Sequence, residues 1–123
     1  MGYYIEMLGS TIKISKENSI NIMEKLKEYI VSENPNWAFV NTKLLLSYCK
    51  DNKFSEVMDE IRYSVVETDG IYSIDSFTGE KLGSDFEIWE QLAPYVNNGT
   101  IQILGEGGYE WKWIFEDGAL REE

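Results

Sequence analysis

The chain has no histidine, a single cysteine and two prolines, and eight of its eleven cations lie in residues 1–63. Histidine is the side chain whose ordinary pKa suits proton transfer near neutral pH, and it is the commonest metal ligand. Its absence removes the usual general base and most transition-metal centres. The one cysteine, Cys49, has no partner for an internal disulfide. It lies in the apolar stretch Leu44-Leu45-Leu46-Ser47-Tyr48-Cys49, so it reads as a buried thiol in a reducing compartment and not as a nucleophile. No apolar run approaches the roughly 18 residues needed to cross a bilayer. The opening Met-Gly-Tyr-Tyr-Ile-Glu lacks the basic head and apolar stretch of a secretory signal, and the expected location is cytoplasmic. On the same ground Asn98-Gly99-Thr100 reads as a turn and not as a glycan acceptor.

The shortage of cations is regional. Residues 1–63 carry nine acids and eight bases, whereas residues 64–123 carry thirteen acids and only Lys81, Lys112 and Arg121 as bases. Nearly all of the formal charge of −11 therefore belongs to the second half. Such a field repels nucleic acid and anionic membranes and attracts cations or basic protein surfaces.

What is present is enough for one core. With 123 residues, 43% hydrophobic and 14% aromatic, the chain is expected to fold as a single domain over 1–123. Residues 3–14 alternate as a strand, with a bulge or tight turn expected at Gly9. Ser15 is a suitable N-cap for a helix over 16–31 with an apolar stripe of Ile20, Met23, Leu26, Tyr29 and Ile30, ended at Asn34-Pro35-Asn36. Helical pattern returns over 42–50 and 55–63, the latter with Phe54, Val57, Met58 and Ile61 on one face. The period then becomes that of strands. Asp69-Gly70 between Ser64–Thr68 and Ile71–Phe77 is a hairpin signal. Thr78-Gly79-Glu80-Lys81 reads as a turn, and Ser84 with Glu87 as a capping box opening a helix over 85–95, with Phe86, Trp89, Leu92 and Ala93 buried. Asn97-Asn98-Gly99 reads as its left-handed stop, before two strands joined by Gly105-Glu106-Gly107-Gly108 and a last short strand beyond Glu116-Asp117-Gly118. The expected fold is α+β with a mostly antiparallel sheet. Its order resembles a ferredoxin-like βαββαβ outline, with a helical insertion and an extra C-terminal β-meander.

The most distinctive segment is Tyr109-Glu110-Trp111-Lys112-Trp113-Ile114-Phe115, where every odd position is aromatic and one strand face carries four rings. Such a row packs under helices as core. A functional role requires Trp111 or Trp113 to be exposed as an anchor. The acids show no calcium-loop spacing, and Glu87 and Glu90, three apart on one helix face, fit a solvated surface as well as a hydrolytic pair. The Gly105-x-Gly107-Gly108 loop precedes a strand, not a helix, so it is no phosphate cradle. No cofactor, metal site or catalytic residue is expected, and the chain reads as a non-enzyme.

The C-terminal run Leu92-Ala93-Pro94-Tyr95-Val96-Asn97-Asn98-Gly99, then Gly105-Glu106-Gly107-Gly108 and Trp111-Lys112-Trp113-Ile114-Phe115-Glu116-Asp117-Gly118, resembles the ends of small acidic proteins of phages and bacterial mobile elements. In size, acidity and lack of a catalytic set the chain is also similar to phage-encoded inhibitors of host defence such as anti-CRISPR proteins, some of which mimic the charge of DNA. The resemblance implies an inhibitor that occupies a basic, nucleic-acid-binding surface of a host protein such as a CRISPR effector. It carries no catalytic residue over. The expected partner-binding groups are Glu67, Asp69, Asp75, Glu80, Asp85, Glu87, Glu90, Glu106, Glu110, Glu116 and Asp117, with Trp111 and Trp113 as anchors. Two other functions remain open: a small-molecule or nucleotide-binding module that uses the rings in a pocket, and a toxin-neutralising immunity protein.

Overall fold

A corner near Gly9–Ile12 organises the chain, because there the first strand leaves one sheet and enters another. The structure, a computed structural model, describes residues 4–34, 40–76, 78–80 and 85–123, with no side chain described at residue 4 or at 78–80. Strand β1 (Tyr4–Ser10) lies in a five-stranded sheet, and β2 (Lys13–Ser15) in a three-stranded one. The register of β1 shifts between Met7 and Gly9, the bulge expected at that glycine. Thr11 completes the bend: its N–H donates to the Thr100 carbonyl at 2.8 Å, and its hydroxyl accepts from the Thr100 N–H at 2.9 Å.

Helix α1 (Lys16–Glu33) starts at Ser15, whose hydroxyl accepts from the Asn18 N–H at 3.1 Å, and ends at Asn34, which adopts the left-handed region with φ of 46°. Its buried stripe is Ser19, Ile22, Met23, Leu26 and Ile30. Ile20 is half exposed and does not belong to the stripe, since it lies about 200° around the helix from Ile22. Ser19 is buried without cost because its hydroxyl donates to the Lys16 carbonyl at 2.6 Å. Helices α2 (Thr42–Lys50) and α3 (Phe54–Glu60) form the helical insertion. Phe54, Val57, Met58 and Ile61 are all buried, as their spacing predicts. After α3 the N–H of Arg62 bonds to the Asp59 carbonyl and that of Tyr63 to the Met58 carbonyl, with Arg62 left-handed at φ of 75° where glycine is usual.

Strands β3 (Ser64–Thr68) and β4 (Ile71–Ser76) form the expected hairpin, with positive φ at both Asp69 and Gly70. The three-stranded sheet runs β2-β4-β3. Thr78–Glu80 is a strand, β5, and not the turn expected there: it pairs antiparallel with β1. Only this distant partner makes it a strand, because three residues specify nothing locally. Helix α4 (Asp85–Leu92) continues as a 3₁₀ turn over Ala93–Tyr95. Pro94 has no N–H with which to extend the α-helical pattern. Trp89, Leu92 and Ala93 are buried as expected, Ile88 and Asp85 join them, and Phe86 is half-buried. The helix start expected at Ser84 falls outside the described residues.

Strands β6 (Gly99–Gly105), β7 (Glu110–Glu116) and β8 (Ala119–Glu122) make the C-terminal meander, and the larger sheet runs β5-β1-β6-β7-β8. The class is therefore α+β with antiparallel sheets, and the elements follow the βαββαβ order with the insertion and the meander in place. They are divided between two sheets that meet at the corner, where a single ferredoxin-like sheet would keep them together. Buried side chains from both sheets and all four described helices form one cluster. Among the described residues no helix is long and apolar enough to cross a membrane.

Gly99 is not the left-handed stop expected; neither it nor Asn97 or Asn98 has positive φ. Its role is clearance, since a Cβ there would sit 2.9 Å from the Thr11 hydroxyl and 3.0 Å from its carbonyl oxygen. Gly9 has nothing within 4 Å of a built Cβ. Gly99→Ala should cost about 1–3 kcal/mol by overpacking the corner, whereas Gly9→Ala should stay within about 1 kcal/mol of the parent. Urea midpoints for the two variants check this; equal midpoints would show that the corner is not tightly closed.

Candidate functional site

The ring row of β7 runs from core to solvent. Alternation puts Tyr109, Trp111, Trp113 and Phe115 on the inner side, and their burial decreases steadily along the strand. Phe115 is 1% exposed, Trp113 is 3% exposed, Trp111 is half-buried and Tyr109 is 75% exposed. The inner end is fixed by edge-on ring contacts. Trp89 meets Phe115 at 5.6 Å and 81° and Tyr63 at 5.2 Å and 89°, while Phe86 meets Trp113 at 6.4 Å and 80°. These are the separations and tilts that aromatic quadrupoles favour.

Where the rings emerge there is a cleft of about 420 Å³, lined by Ile5, Asp85, Phe86, Tyr109, Glu110, Trp111, Trp113 and Glu122. Its origin can be read from the register. Trp111 pairs across to Ile103, and Ile103 to Met7, so that row is filled. One step outward Ile5 pairs with Gly105, whose N–H donates to the Tyr109 carbonyl at 2.8 Å. Gly105 gives that row no side chain, which leaves space beside Tyr109 among the described residues. The Gly105–Gly108 loop is a tight connection: the Gly108 N–H donates to the Gly105 carbonyl at 3.0 Å, and Gly108 is left-handed at φ of 87°.

Three of the lining residues are carboxylates. Glu122 is held by the Trp113 indole N–H, which donates to Oε1 at 2.9 Å. Glu110 Oε1 accepts from Gln102 Nε2 at 3.1 Å. Asp85, only 5% exposed, lies close enough to the buried Tyr63 phenol to matter electrically. Burial holds that phenol well above its ordinary pKa, the Asp85 charge pushes the same way, and the Trp89 indole opposes them. No lysine or arginine lines the cleft among the described residues.

The structure distributes the expected binding acids over several faces. Asp85 and Glu110 belong to the cleft, and exposed Glu106 lies in the adjoining β6–β7 loop. Glu116 and Asp117 sit at the opposite end of β7, where Asn98 Oδ1 accepts from the Asp117 N–H at 2.9 Å. Glu67, Asp69 and Asp75 are exposed on the β3–β4 hairpin of the other sheet. Glu87 and Glu90 line a groove of about 500 Å³ between α4 and α1, together with Glu28, Glu33 and Lys25. Glu80 is on β5, and its side chain lies outside the described residues. Among the described residues Glu67 meets Lys16 at 3.5 Å, and Glu116 meets Arg121 at 2.9 Å. Both pairs are exposed and worth little, so a partner's cations can exchange into them.

Of the two expected anchors, Trp111 is accessible and Trp113 forms the cleft floor, because α4 covers the strand from position 113 onward. Tyr109 and Glu122 were not singled out from sequence. Counting back from the Asp117-Gly118 turn would have found Glu122, since a two-residue loop sets Trp113 opposite it, the pairing observed. No group of acids and cysteine among the described residues is placed to hold a metal ion. Comparison with known protein families, with curated proteins and with solved structures finds no match to this chain.

Cys49 is buried, and its thiol is pushed up to about 11, first by burial and then by the charge of Glu24, with Lys27 acting the other way. A raised pKa means that the fold favours the neutral thiol. Its contribution to stability is complete below the ordinary value of 9.0 and is lost as pH rises to about 11. The native protein should resist a thiol reagent at pH 8 and react at once in urea. Rapid labelling of the native state would place the thiol at the surface.

Proposed function

We propose that the chain is a non-enzymatic acidic binding protein that occupies a basic, nucleic-acid-binding surface of a protein target. The target class suggested by the resemblance to phage proteins is a host defence protein such as a CRISPR effector. The observation that carries the reading is the union of exposed rings and carboxylates on ordered elements. Glu67, Asp69 and Asp75 are on a hairpin, Glu87 and Glu90 on a helix, and Glu110 and Glu116 on a strand that also carries Trp111. Charges held in place keep their spacing when the partner docks, and residues 64–123 hold only three bases to offset them. Complementary potential speeds encounter and selects against anionic partners, and an accessible tryptophan supplies contact area.

A second reading, a small-molecule or nucleotide-binding module, is favoured by the cleft's rings, which would stack a flat ligand. Its carboxylates oppose any phosphate-bearing one.

Tagged protein incubated with bacterial lysate should retain nucleic-acid-binding proteins at low salt. Raising salt to about 0.5 M, or adding competing nucleic acid, should release the same proteins, because charge complementarity at a solvated interface is screened. Retention unchanged by both treatments would overturn the proposal.

A further inference from the structure

We infer that the cleft between β7, β8 and the start of α4 is a receptor for an arginine side chain of the partner's basic surface. The inference deepens the docking reading above and rests on it for the source of the arginine. Three features of the cleft select this group. Its lining pairs the rings of Phe86, Tyr109, Trp111 and Trp113 with the carboxylates of Glu110 and Glu122, so a positive charge is the complementary occupant. The rings are graded in exposure, with Trp113 as a floor and Tyr109 standing in solvent, so a flat group entering from outside meets aromatic rings along its path. Glu122 is oriented beforehand: the Trp113 indole N–H binds Oε1 at 2.9 Å, which leaves Oε2 to accept from a ligand.

A guanidinium ion answers all three features. It is planar and weakly hydrated, stacks on an aromatic face, and donates N–H bonds in its plane to carboxylates at the edge. A lysine ammonium is a compact, strongly hydrated charge and gains less from the same walls. The volume lies within the roughly 300–1,000 Å³ usual for sites that enclose small groups.

The probe is the capped tripeptide acetyl-Gly-Arg-Gly-amide, titrated into the whole protein while tryptophan fluorescence is recorded. Saturable binding is expected, weakened about fivefold or more when arginine is replaced by citrulline, which keeps the shape and removes the charge, or by lysine. Trp111→Ala should abolish binding, and Tyr109→Ala should weaken it. Glu122→Gln, which retains an acceptor for the Trp113 N–H, should weaken it about fivefold or more. Tyr109 is exposed, so its variant keeps the proposal testable even if Trp111→Ala misfolds. Equal binding of citrulline, or tighter binding of a nucleoside monophosphate, would overturn the inference. So would salt-sensitive capture of basic proteins that persists unchanged in Tyr109→Ala and Glu122→Gln, and that result would leave the docking reading intact. Arginine-selective binding without any salt-sensitive protein capture would keep the cleft chemistry and overturn the docking reading instead.

Discussion

Strand β7 must bury one end of its ring row and release the other. Phe115 and Trp113 are gripped by Trp89 and Phe86 of α4, and losing such a buried ring costs about 3–5 kcal/mol, a large share of a small domain's stability. Because side chains alternate strictly along a strand, fixing those two rings also fixes the side on which Trp111 and Tyr109 emerge. The cleft is therefore a consequence of core packing and needs no separate stabilisation. The side chain omitted at Gly105 leaves part of the row open among the described residues.

The same strand organises the charge. Its pairing with β8 through the Asp117-Gly118 turn, where both residues have positive φ, brings Glu122 beside Trp113. Its pairing with β6 places Gln102 within reach of Glu110. Glu110 and Glu122 are thus each tethered through one oxygen at the cleft, while other acids are spread over the hairpin, the α1–α4 groove and the far end of the sheet. The acidic second half of the chain is a set of negative positions on several faces, a few of them beside an aromatic hollow. No single flat patch gathers them all.

Much of the local structure was legible in sequence because it is locally determined. Ser15 caps α1, Asn34 ends it, Asp69-Gly70 turns the hairpin, and Gly9 marks a bulge; in each case a short stretch dictates its own dihedral angles or hydrogen bonds. What failed depended on distant partners. Thr78–Glu80 becomes a strand only because β1 has an edge to offer, and Ile20 yields to Ile22 only because of how α1 is rotated against the rest of the core. The division into two sheets follows from the corner at Thr11, which element order alone does not encode. The ring row was visible and its core reading holds for Trp113 and Phe115, but alternation gives a face and not a depth, so it does not say which of Trp111 and Trp113 is accessible. Glu122 was within reach of register counting from the second Asp-Gly turn.

The central claim is that the emergent end of the ring row is where a cationic partner sits. The direct measurement is a nitrogen–proton correlation spectrum of the tryptophan indole groups as an arginine-rich peptide is added. The account predicts that the Trp111 and Trp113 indole signals shift together, because one lines the cleft and the other binds its carboxylate, while the Trp89 signal, fully buried, stays in place. Unmoved Trp111 and Trp113 signals at saturating peptide would contradict it.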